Sequence, residues 1–348
     1  MTRLVLRTHL SASHPEHLVL LCCECMSQDA PGTDLSIQSR LFKVARPSLP
    51  IEKSAPTFYV EWAKALGLLT RNWSLTGKGK AIAWLGKSIC SSESGDLPRE
   101  VVALLLKYYL EADGALMLAL AQQVVSGGYL DQAQFTRDDS VERMIVSILN
   151  DYLSAEDNIR SRVFIKQQIR TVEKTYKRET RPHKILPHLV PLCDFGLMSK
   201  EETPSGNRFV VTADQRARML PFLAALRSIR DLELAIASNS LALLIGGLLS
   251  ATDSISDTIG SVVAEAYEAV SEKTAGLAEL TTLNDAVWAW FVGHGILVDP
   301  RYIADYIEKK VHSMPRLMRF HVDRQGEIAL IVIDNEARRA LTDEVRCC

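Results

Sequence analysis

The chain has 348 residues, of which 47% are hydrophobic and 24% are charged, and its formal net charge is −2. This length allows at least two hydrophobic cores, and the near-neutral charge excludes a polycation, so any nucleic-acid contact requires a local cluster of cations. Seven cysteines without regular spacing indicate reduced thiols and a cytoplasmic protein.

Helical spacing of apolar residues dominates the N-terminal part of the chain. A helix is predicted to begin near Pro15 and to run through EHLVLLCCECM. Asp34 is predicted to cap a second helix, LSIQSRLFKVA. A third helix, FYVEWAKAL, is predicted to begin at Ser54 or Thr57 and to end before Gly67.

The next predicted elements are a short strand, WSLT, and a helix, GKGKAIAWLGKSI, with Thr76 as its N-cap. A linker rich in Ser, Gly and acidic residues follows at 90–98. Further helices are predicted at 98–112, 114–126, 139–153 and 158–178, and over HKILPHLVPLCDF. PSGNRFVVT is predicted as a turn and a strand, and RLMRFHVDRQGEIALIVID as a hairpin. The predicted fold class is therefore mainly α with short β-hairpins.

Two stretches of the chain share one plan. ALGLLTR at 65–71 and DFGLMSK at 194–200 each combine the end of a helix, a glycine, two apolar residues, a hydroxyl and a cation. In each, a strand then ends in a Thr that opens the next helix, Thr76 in the first stretch and Thr212 in the second. Glycine supplies the left-handed turn after the helix, and the connecting loop is longer in the second stretch.

The pattern LGLL followed by LTxKG resembles the winged helix-turn-helix superfamily. This resemblance implies tandem winged-helix domains on a helical scaffold, although a fold does not fix a function. The expected domains are a first winged helix at 1–90, a helical connector at 91–139, a second winged helix with its basic helix at 140–230, and a C-terminal helical domain with a β-hairpin at 231–348. In the last domain, VWAWFVGHGILVD is a weaker match to the same pattern. Two interpretations remain open for this domain, a third winged-helix-like unit and a plain helix–hairpin cap.

The strongest local charge lies between Arg160 and Lys184, where nine Lys or Arg stand against Glu173 and Glu179. Six of these cations recur every three or four residues and are therefore expected on one helical face. They are Arg162, Lys166, Arg170, Lys174, Lys177 and Arg181. Such a face fits a phosphate backbone, and the alternatives are a solvated helix face and an acidic protein partner.

In DNA-binding winged helices, the helix before the Gly-apolar pair is the recognition helix, and cations of the wing contact phosphate or the minor groove. By this resemblance, the expected nucleic-acid contacts of the first unit are Thr57, Tyr59, Lys64, Arg71, Trp73, Lys78 and Lys80. Those of the second unit are Arg162, Lys166, Arg170, Lys174, Lys177, Arg178, Arg181, His183, Lys184, Lys200 and Arg208. Trp73 has two interpretations, stacking on an unpaired base or closing the hydrophobic core. Few usual base readers lie on the recognition faces, so backbone contacts with weak sequence specificity are expected.

Two further segments bear on partners. Acidic residues dominate 253–285, which is expected to cover the basic helix or to contact another subunit. The stretch 234–252 carries no charge and approaches the length of a membrane span, but Ser, Asn and Gly interrupt it. A buried helix is therefore expected there, and no membrane partner.

No catalytic motif stands out. A P-loop, a Gly-rich dinucleotide turn, HExxH and Gly-x-Ser-x-Gly are all missing from the sequence. A short N-terminal run contains four metal-capable side chains, and its spacing favours core thiols over zinc: His14, His17, Cys22 and Cys25. Asp323 and Glu327 resemble paired nuclease carboxylates, but Ala329 stands where a Lys is expected. No cofactor is predicted.

The sequence therefore predicts a non-enzymatic DNA-binding protein, a subunit of a larger complex, which contacts DNA through winged-helix units and the basic helix. The alternative is a winged-helix adaptor or scaffold that joins other protein subunits without touching DNA. A defence or chromosome-maintenance machine is an example of such a setting.

Overall fold

The chain is mainly helical and contains two small antiparallel sheets of three strands each. The computed structural model describes residues 14–27, 55–91, 96–133, 140–155, 159–175, 181–204, 206–226, 229–246, 255–272, 275–322 and 328–343. The predicted class, mainly α with short β-hairpins, is confirmed. Asp34 and the helix predicted after it lie outside the described residues.

Helices of the N-terminal part lie close to their predicted positions. They are α1 (Pro15–Ser27), α2 (Ala55–Ala65), α3 (Gly77–Leu85), α4 (Lys87–Ser91) and α5 (Arg99–Gly127). Because α2 begins at Ala55, Thr57 lies inside this helix and does not cap it. The predicted strand WSLT is reduced to one bridge, between Leu69 and Leu75, because Thr76 already turns the chain into α3.

Helices and short strands alternate along the rest of the chain. Up to residue 245 they are β1 (Tyr129–Asp131), α6 (Ser140–Ala155), α7 (Ile159–Thr175), α8 (Arg181–Asp194), β2 (Ser199–Thr203), β3 (Gly206–Val210), α9 (Ala213–Ala225), α10 (Ile229–Ile236) and α11 (Ser240–Ile245). From residue 255 they are α12 (Ile255–Val270), β4 (Ala278–Glu279), α13 (Leu280–Gly293), α14 (Pro300–Ser313), β5 (Met318–Val322), β6 (Ile328–Ile333) and α15 (Asn335–Asp343). The single buried helix expected at 234–252 is wrong, since α10 ends at Ile236 and α11 begins at Ser240.

Two compact units make up the chain, and each is built from two separate segments. The first unit comprises the described residues of 1–15 and 106–245, and the second those of 16–105 and 246–348. The division at 105/106 falls inside α5 rather than in a linker. The four domains expected from the sequence remain a prediction.

The two sheets, one in each unit, have the same strand arrangement. In the first unit β3 lies between β1 and β2, and in the second unit β6 lies between β4 and β5. All neighbouring strands are antiparallel, and the last strand in sequence is central in both sheets. The predicted C-terminal hairpin is therefore β5–β6, joined by β4 into a full sheet.

The core of the first unit lies where α5 meets α8. Asp113 interrupts α5 with a φ of −154°, between the two helices predicted at 98–112 and 114–126. One turn earlier, the Tyr109 ring packs edge-on against Phe195, with 5.4 Å between ring centres. The bend therefore separates the two predicted helices without ending the helical path.

Candidate nucleic-acid interface

Three helices of the chain are followed by a glycine in the same backbone conformation. These glycines are Gly67, Gly196 and Gly295. These glycines have φ values of 73°, 70° and 75°, the left-handed region that favours glycine. The hydrogen bonds that close these ends are Leu68 N–H to Ala63 O (2.8 Å), Leu197 N–H to Leu192 O (2.9 Å) and Ile296 N–H to Phe291 O (2.9 Å). Each bond satisfies a carbonyl that the helix leaves free, so the predicted role of glycine at these ends is confirmed.

A three-residue turn, Arg71 to Trp73, joins Thr70 and Ser74, which lie between the two bridge residues after the first helix end. Thr70 N–H donates to Ser74 O at 2.8 Å, and Trp73 N–H donates to Thr70 O at 3.0 Å. Trp73 completes the turn with a φ of 60°, which bulky residues rarely adopt. The first stretch therefore presents a tight turn with Arg71 exposed, rather than an extended hairpin.

Trp73 is half-buried beside α2. The Lys64 ammonium lies 5.1 Å from the centre of the indole ring, and the same Nζ donates to Glu61 Oε1 at 2.9 Å. The indole N–H is buried and has no hydrogen-bond partner among the described residues. Lys64 therefore lies over part of the indole ring, and both interpretations of Trp73 remain predictions.

Two other predicted contacts of the first stretch have partners inside the protein. Tyr59 is fully buried, and its ring packs edge-on against His17 with 4.8 Å between ring centres. Lys80 Nζ donates to Ser271 O at 2.7 Å within the second unit. The prediction that Tyr59 contacts nucleic acid is wrong, because its ring has no exposed surface. Lys80 is held by a backbone carbonyl instead of extending into solvent.

Thr76 connects the turn to α3. Its Oγ1 accepts a hydrogen bond from Gly79 N–H at 3.2 Å and donates one to Gly67 O at 2.5 Å. The first bond is the predicted N-cap. Lys78, in the first turn of α3, is half-buried, and the side chain of Thr57 lies outside the described part of the structure.

The second stretch forms the hairpin β2–β3 and then α9. Thr212 Oγ1 accepts from Gln215 N–H at 3.2 Å, and Gln215 Oε1 accepts from Thr212 N–H at 2.9 Å. This capping box confirms the predicted role of Thr212. The two stretches differ after the cap, since Ala81 is buried whereas Ala217, at the matching position, is exposed.

Arg208, a predicted nucleic-acid contact, is bound within the first sheet. Its Nε and Nη2 donate to the Asp131 carboxylate at 2.7 and 3.4 Å, and the guanidinium lies 4.8 Å from the Tyr129 ring centre. The hydrogen bond and charge of Asp131 raise the pKa of Arg208, and the charge of Glu201 on the other neighbouring strand raises it further. Because two carboxylates flank one guanidinium, Arg208 has no excess charge for a phosphate, and the prediction is corrected accordingly.

The exposed part of the basic cluster lies on α7. Lys166 and Arg170 are exposed, one turn apart, whereas Ile165 is buried. Arg162 is half-buried and its Nη1 donates to Leu153 O at 2.9 Å. The structure therefore brings Lys166 and Arg170 together at the surface and ties Arg162 to the backbone at the end of α6.

The remaining predicted contacts of this cluster are side chains outside the described part of the structure. They are Lys174, Lys177, Arg178, Arg181, His183 and Lys184. Lys200 is exposed on β2, where the next two residues, Glu201 and Glu202, are exposed as well. The hairpin β2–β3 therefore carries acidic groups beside its cation.

The exposed side of α7 also carries apolar groups. Ile159 is 78% exposed and Val163 is 61% exposed. Together with Lys166 and Arg170 they recur at spacings of three or four residues, which places all four on one stripe of the helix. We call these four residues the α7 stripe. The stripe is apolar near the start of the helix and basic further along it.

Exposed cations also lie on the second sheet, and these were not among the predicted contacts. Arg316 precedes β5, and Arg319 and His321 lie on it, all three exposed. The signal was available in the sequence, because 309–322 contains four Lys or Arg, two His and no Asp or Glu. It was missed because the cluster at Arg160–Lys184 carries a larger charge.

Other chemistry-bearing side chains have structural surroundings. The His294 ring stacks on Trp290 with 3.7 Å between ring centres, and His312 Nδ1 lies 2.8 Å from Glu308 O. Within the described ranges, no three His, Cys, Asp or Glu residues are grouped so as to hold a metal ion. Residues 323 and 327, considered as nuclease carboxylates, lie outside those ranges.

No family model, no curated protein and no solved structure matches this chain. In the part of the chain that the structure describes, no helix is both long and apolar enough to cross a bilayer. A functional assignment therefore depends on the chemistry of the exposed surfaces.

Proposed function

We propose that the chain is a non-enzymatic DNA-binding subunit of a larger complex, with the α7 stripe as its main contact surface. The supporting observation is the exposure of Lys166 and Arg170 on a helix whose only acidic residue is Glu173. Neither cation forms an ion pair with a described residue. Each is therefore available to displace a counterion from a phosphate backbone.

The fold around α7 supports a winged-helix interpretation of this unit. A helix ends at Gly196, a hairpin follows, and Thr212 opens the next helix. The α7 stripe precedes this arrangement in the chain. Its cations therefore add to any DNA contacts that α8 makes. Backbone contacts with weak sequence specificity follow from a surface that offers mainly charge.

The test is duplex DNA binding across a salt series, with the wild-type chain and the variant Lys166→Gln/Arg170→Gln. The variant is expected to bind more weakly, and the slope of log affinity against log salt is expected to fall by about 2. The matched control, Arg216→Gln/Arg230→Gln, removes two exposed cations from α9 and α10 and is expected to bind like the wild type. Failure of the wild type to bind at low salt, or an equal loss in both variants, would contradict the proposal.

A protein adaptor is the second candidate, and the exposure of Ile159 and Val163 favours it. Exposed apolar groups beside cations are typical of surfaces that bind another protein. This candidate predicts that Ile159→Ser/Val163→Ser loses a copurifying subunit and that the wild-type chain alone does not bind DNA. Unchanged copurification would count against it.

A further inference from the structure

The two sheets share one strand arrangement, but their hairpins differ in charge. On β2 of the first unit, Glu201 and Glu202 are exposed. On β5 of the second unit, Arg319 and His321 are exposed instead. Of the two hairpins, the one in the second unit therefore has the charge that a polyanion requires.

The exposed groups of β5 project from the side of the sheet that faces away from the core. Met318 is buried and pairs with Ile333, which is also buried. Arg319 and His321 alternate with the inward positions along the strand, so they share the outward face. The register therefore places Arg319 and His321 on the same outward face of β5.

The arginines of this hairpin have no partners inside the described part of the protein. Neither Arg316 nor Arg319 forms an ion pair or hydrogen bond with a described side chain. Two arginines elsewhere do have acidic partners, since Arg208 contacts Asp131 and Arg338 lies 3.5 Å from Glu268. Among the described residues, no acidic group therefore competes with an external anion for Arg316 or Arg319.

The helix before the hairpin extends the same charge. Lys309 and His312 are exposed near the end of α14, which packs against β5. Cations in the last turn of a helix also stabilise its dipole, so His312 has a structural explanation. Arg316 and Arg319 lie beyond the helix, and the dipole does not explain them.

We infer that the hairpin surface, defined as Arg316, Arg319 and His321, is a second DNA-contact surface that binds phosphate groups. Duplex DNA carries about one negative charge per 1.7 Å of its axis, and exposed guanidinium groups three residues apart in the sequence can bind its phosphates. The inference rests on the proposed function, because it assigns the same class of ligand. It involves different residues in the other unit, so the two can fail independently.

The experiment measures duplex DNA affinity across a salt series for the wild type, the α7 variant and Arg316→Gln/Arg319→Gln. The hairpin variant is expected to bind about 10-fold more weakly at low salt, with a salt slope smaller by about 2. Lys87→Gln/Arg339→Gln removes two exposed cations from the same unit and is the matched control. Arg316→Lys/Arg319→Lys keeps the charge and is expected to retain most of the affinity, which separates loss of charge from loss of fold.

Each result decides between the two surfaces. Wild-type affinity in the hairpin Gln variant overturns the hairpin surface and leaves the α7 proposal standing if the α7 variant is weakened. The reverse pattern overturns the α7 stripe and supports the hairpin. Displacement of DNA by poly-glutamate as readily as by competitor DNA would overturn the inference in favour of an acidic polypeptide ligand. A wild type that does not bind DNA overturns both.

Discussion

His188 Nε2 is hydrogen-bonded to Asp113 Oδ2 and thereby joins α8 to the bend of α5 inside the first unit. Neither side chain has any exposed surface. His188 lies between two prolines of α8, Pro187 and Pro191, which lack the N–H groups that a regular helix uses. The side-chain hydrogen bond therefore fixes α8 at a place where its own backbone is weakened.

Removal of this buried carboxylate is expected to destabilise the first unit. Asp113→Ala leaves His188 without its partner, and the expected loss in free energy of unfolding is about 3–5 kcal/mol. Asp113→Asn keeps one hydrogen bond and is expected to lose less. Urea denaturation followed by circular dichroism measures both, with Asp151→Ala on the exposed side of α6 as the control. Equal midpoints for Asp113→Ala and the control would refute this role.

Thr76 is expected to matter more for stability than Thr212, although both cap a helix. Loss of a capping hydroxyl costs about 1 kcal/mol. Thr76 also donates to Gly67 O at 2.5 Å, so Thr76→Ala removes a second hydrogen bond that Thr212→Ala does not. Thermal unfolding of the two Ala variants and of Thr76→Ser, which keeps the hydroxyl, gives the comparison. The prediction fails if Thr76→Ser is as unstable as Thr76→Ala.

Gly79 is expected to tolerate no side chain. A Cβ at this position would lie 2.2 Å from Leu68 O and 2.7 Å from Leu75 Cδ2, so α3 would have to move away from the turn. Gly79→Ala is expected to lower the free energy of unfolding by at least about 1–3 kcal/mol. Gly127→Ala is the control, since no atom lies within 4 Å of its added Cβ and Ala favours a helix. A Gly79→Ala chain as stable as the control would be inconsistent with this packing.

Cys193 is expected to be unreactive in the folded chain. The pKa of its thiol is raised to about 12, mainly by burial and to a smaller extent by the Asp194 carboxylate, while Lys200 opposes the increase. The folded state therefore holds the thiol proton more tightly than the unfolded state, whose thiol has the ordinary pKa of 9.0. This contribution to stability is complete below that pKa and is lost as the pH rises from about 9 towards 12.

Alkylation by iodoacetamide, followed by peptide mass spectrometry, checks this prediction. At about pH 8, Cys193 is expected to react slowly in the folded chain and rapidly in urea, because the thiolate is the reactive form. Equal rates in the two states would contradict it.

Local signals in the sequence predicted several helix ends and caps correctly, although Thr57 does not cap α2. Gly67 and Gly196 end their helices with positive φ, and Thr76 and Thr212 cap the next ones, because each of these interactions spans only a few residues. The boundary predicted between the helices at 98–112 and 114–126 coincides with the interruption of α5 at Asp113. Such features depend on interactions between neighbouring residues and can therefore be predicted from a single sequence.

The candidate site depended on contacts that join distant parts of the chain. Arg208 is neutralised by a residue 77 positions away, and Lys80 is held by a carbonyl 191 positions away. Tyr59 was assigned to an exposed helical face but lies in the core of the second unit. Counting cations along the sequence does not reveal which of them already have partners, and this is why Arg208 and Lys80 were included among the predicted contacts.

The division of α5 between the two units has a consequence for the order of folding. In the second unit, α3 packs against α12, so its core needs segments that the ribosome makes before and after the whole of 106–245. All residues of the first unit have been synthesised once residue 245 is made. At that point α12 has not been synthesised, so the apolar side of α3 has no partner helix to pack against. The second unit, which contains α1 to α4, is therefore expected to fold last. Chains whose synthesis stops before residue 255 would expose the apolar side of α3 and are expected to aggregate.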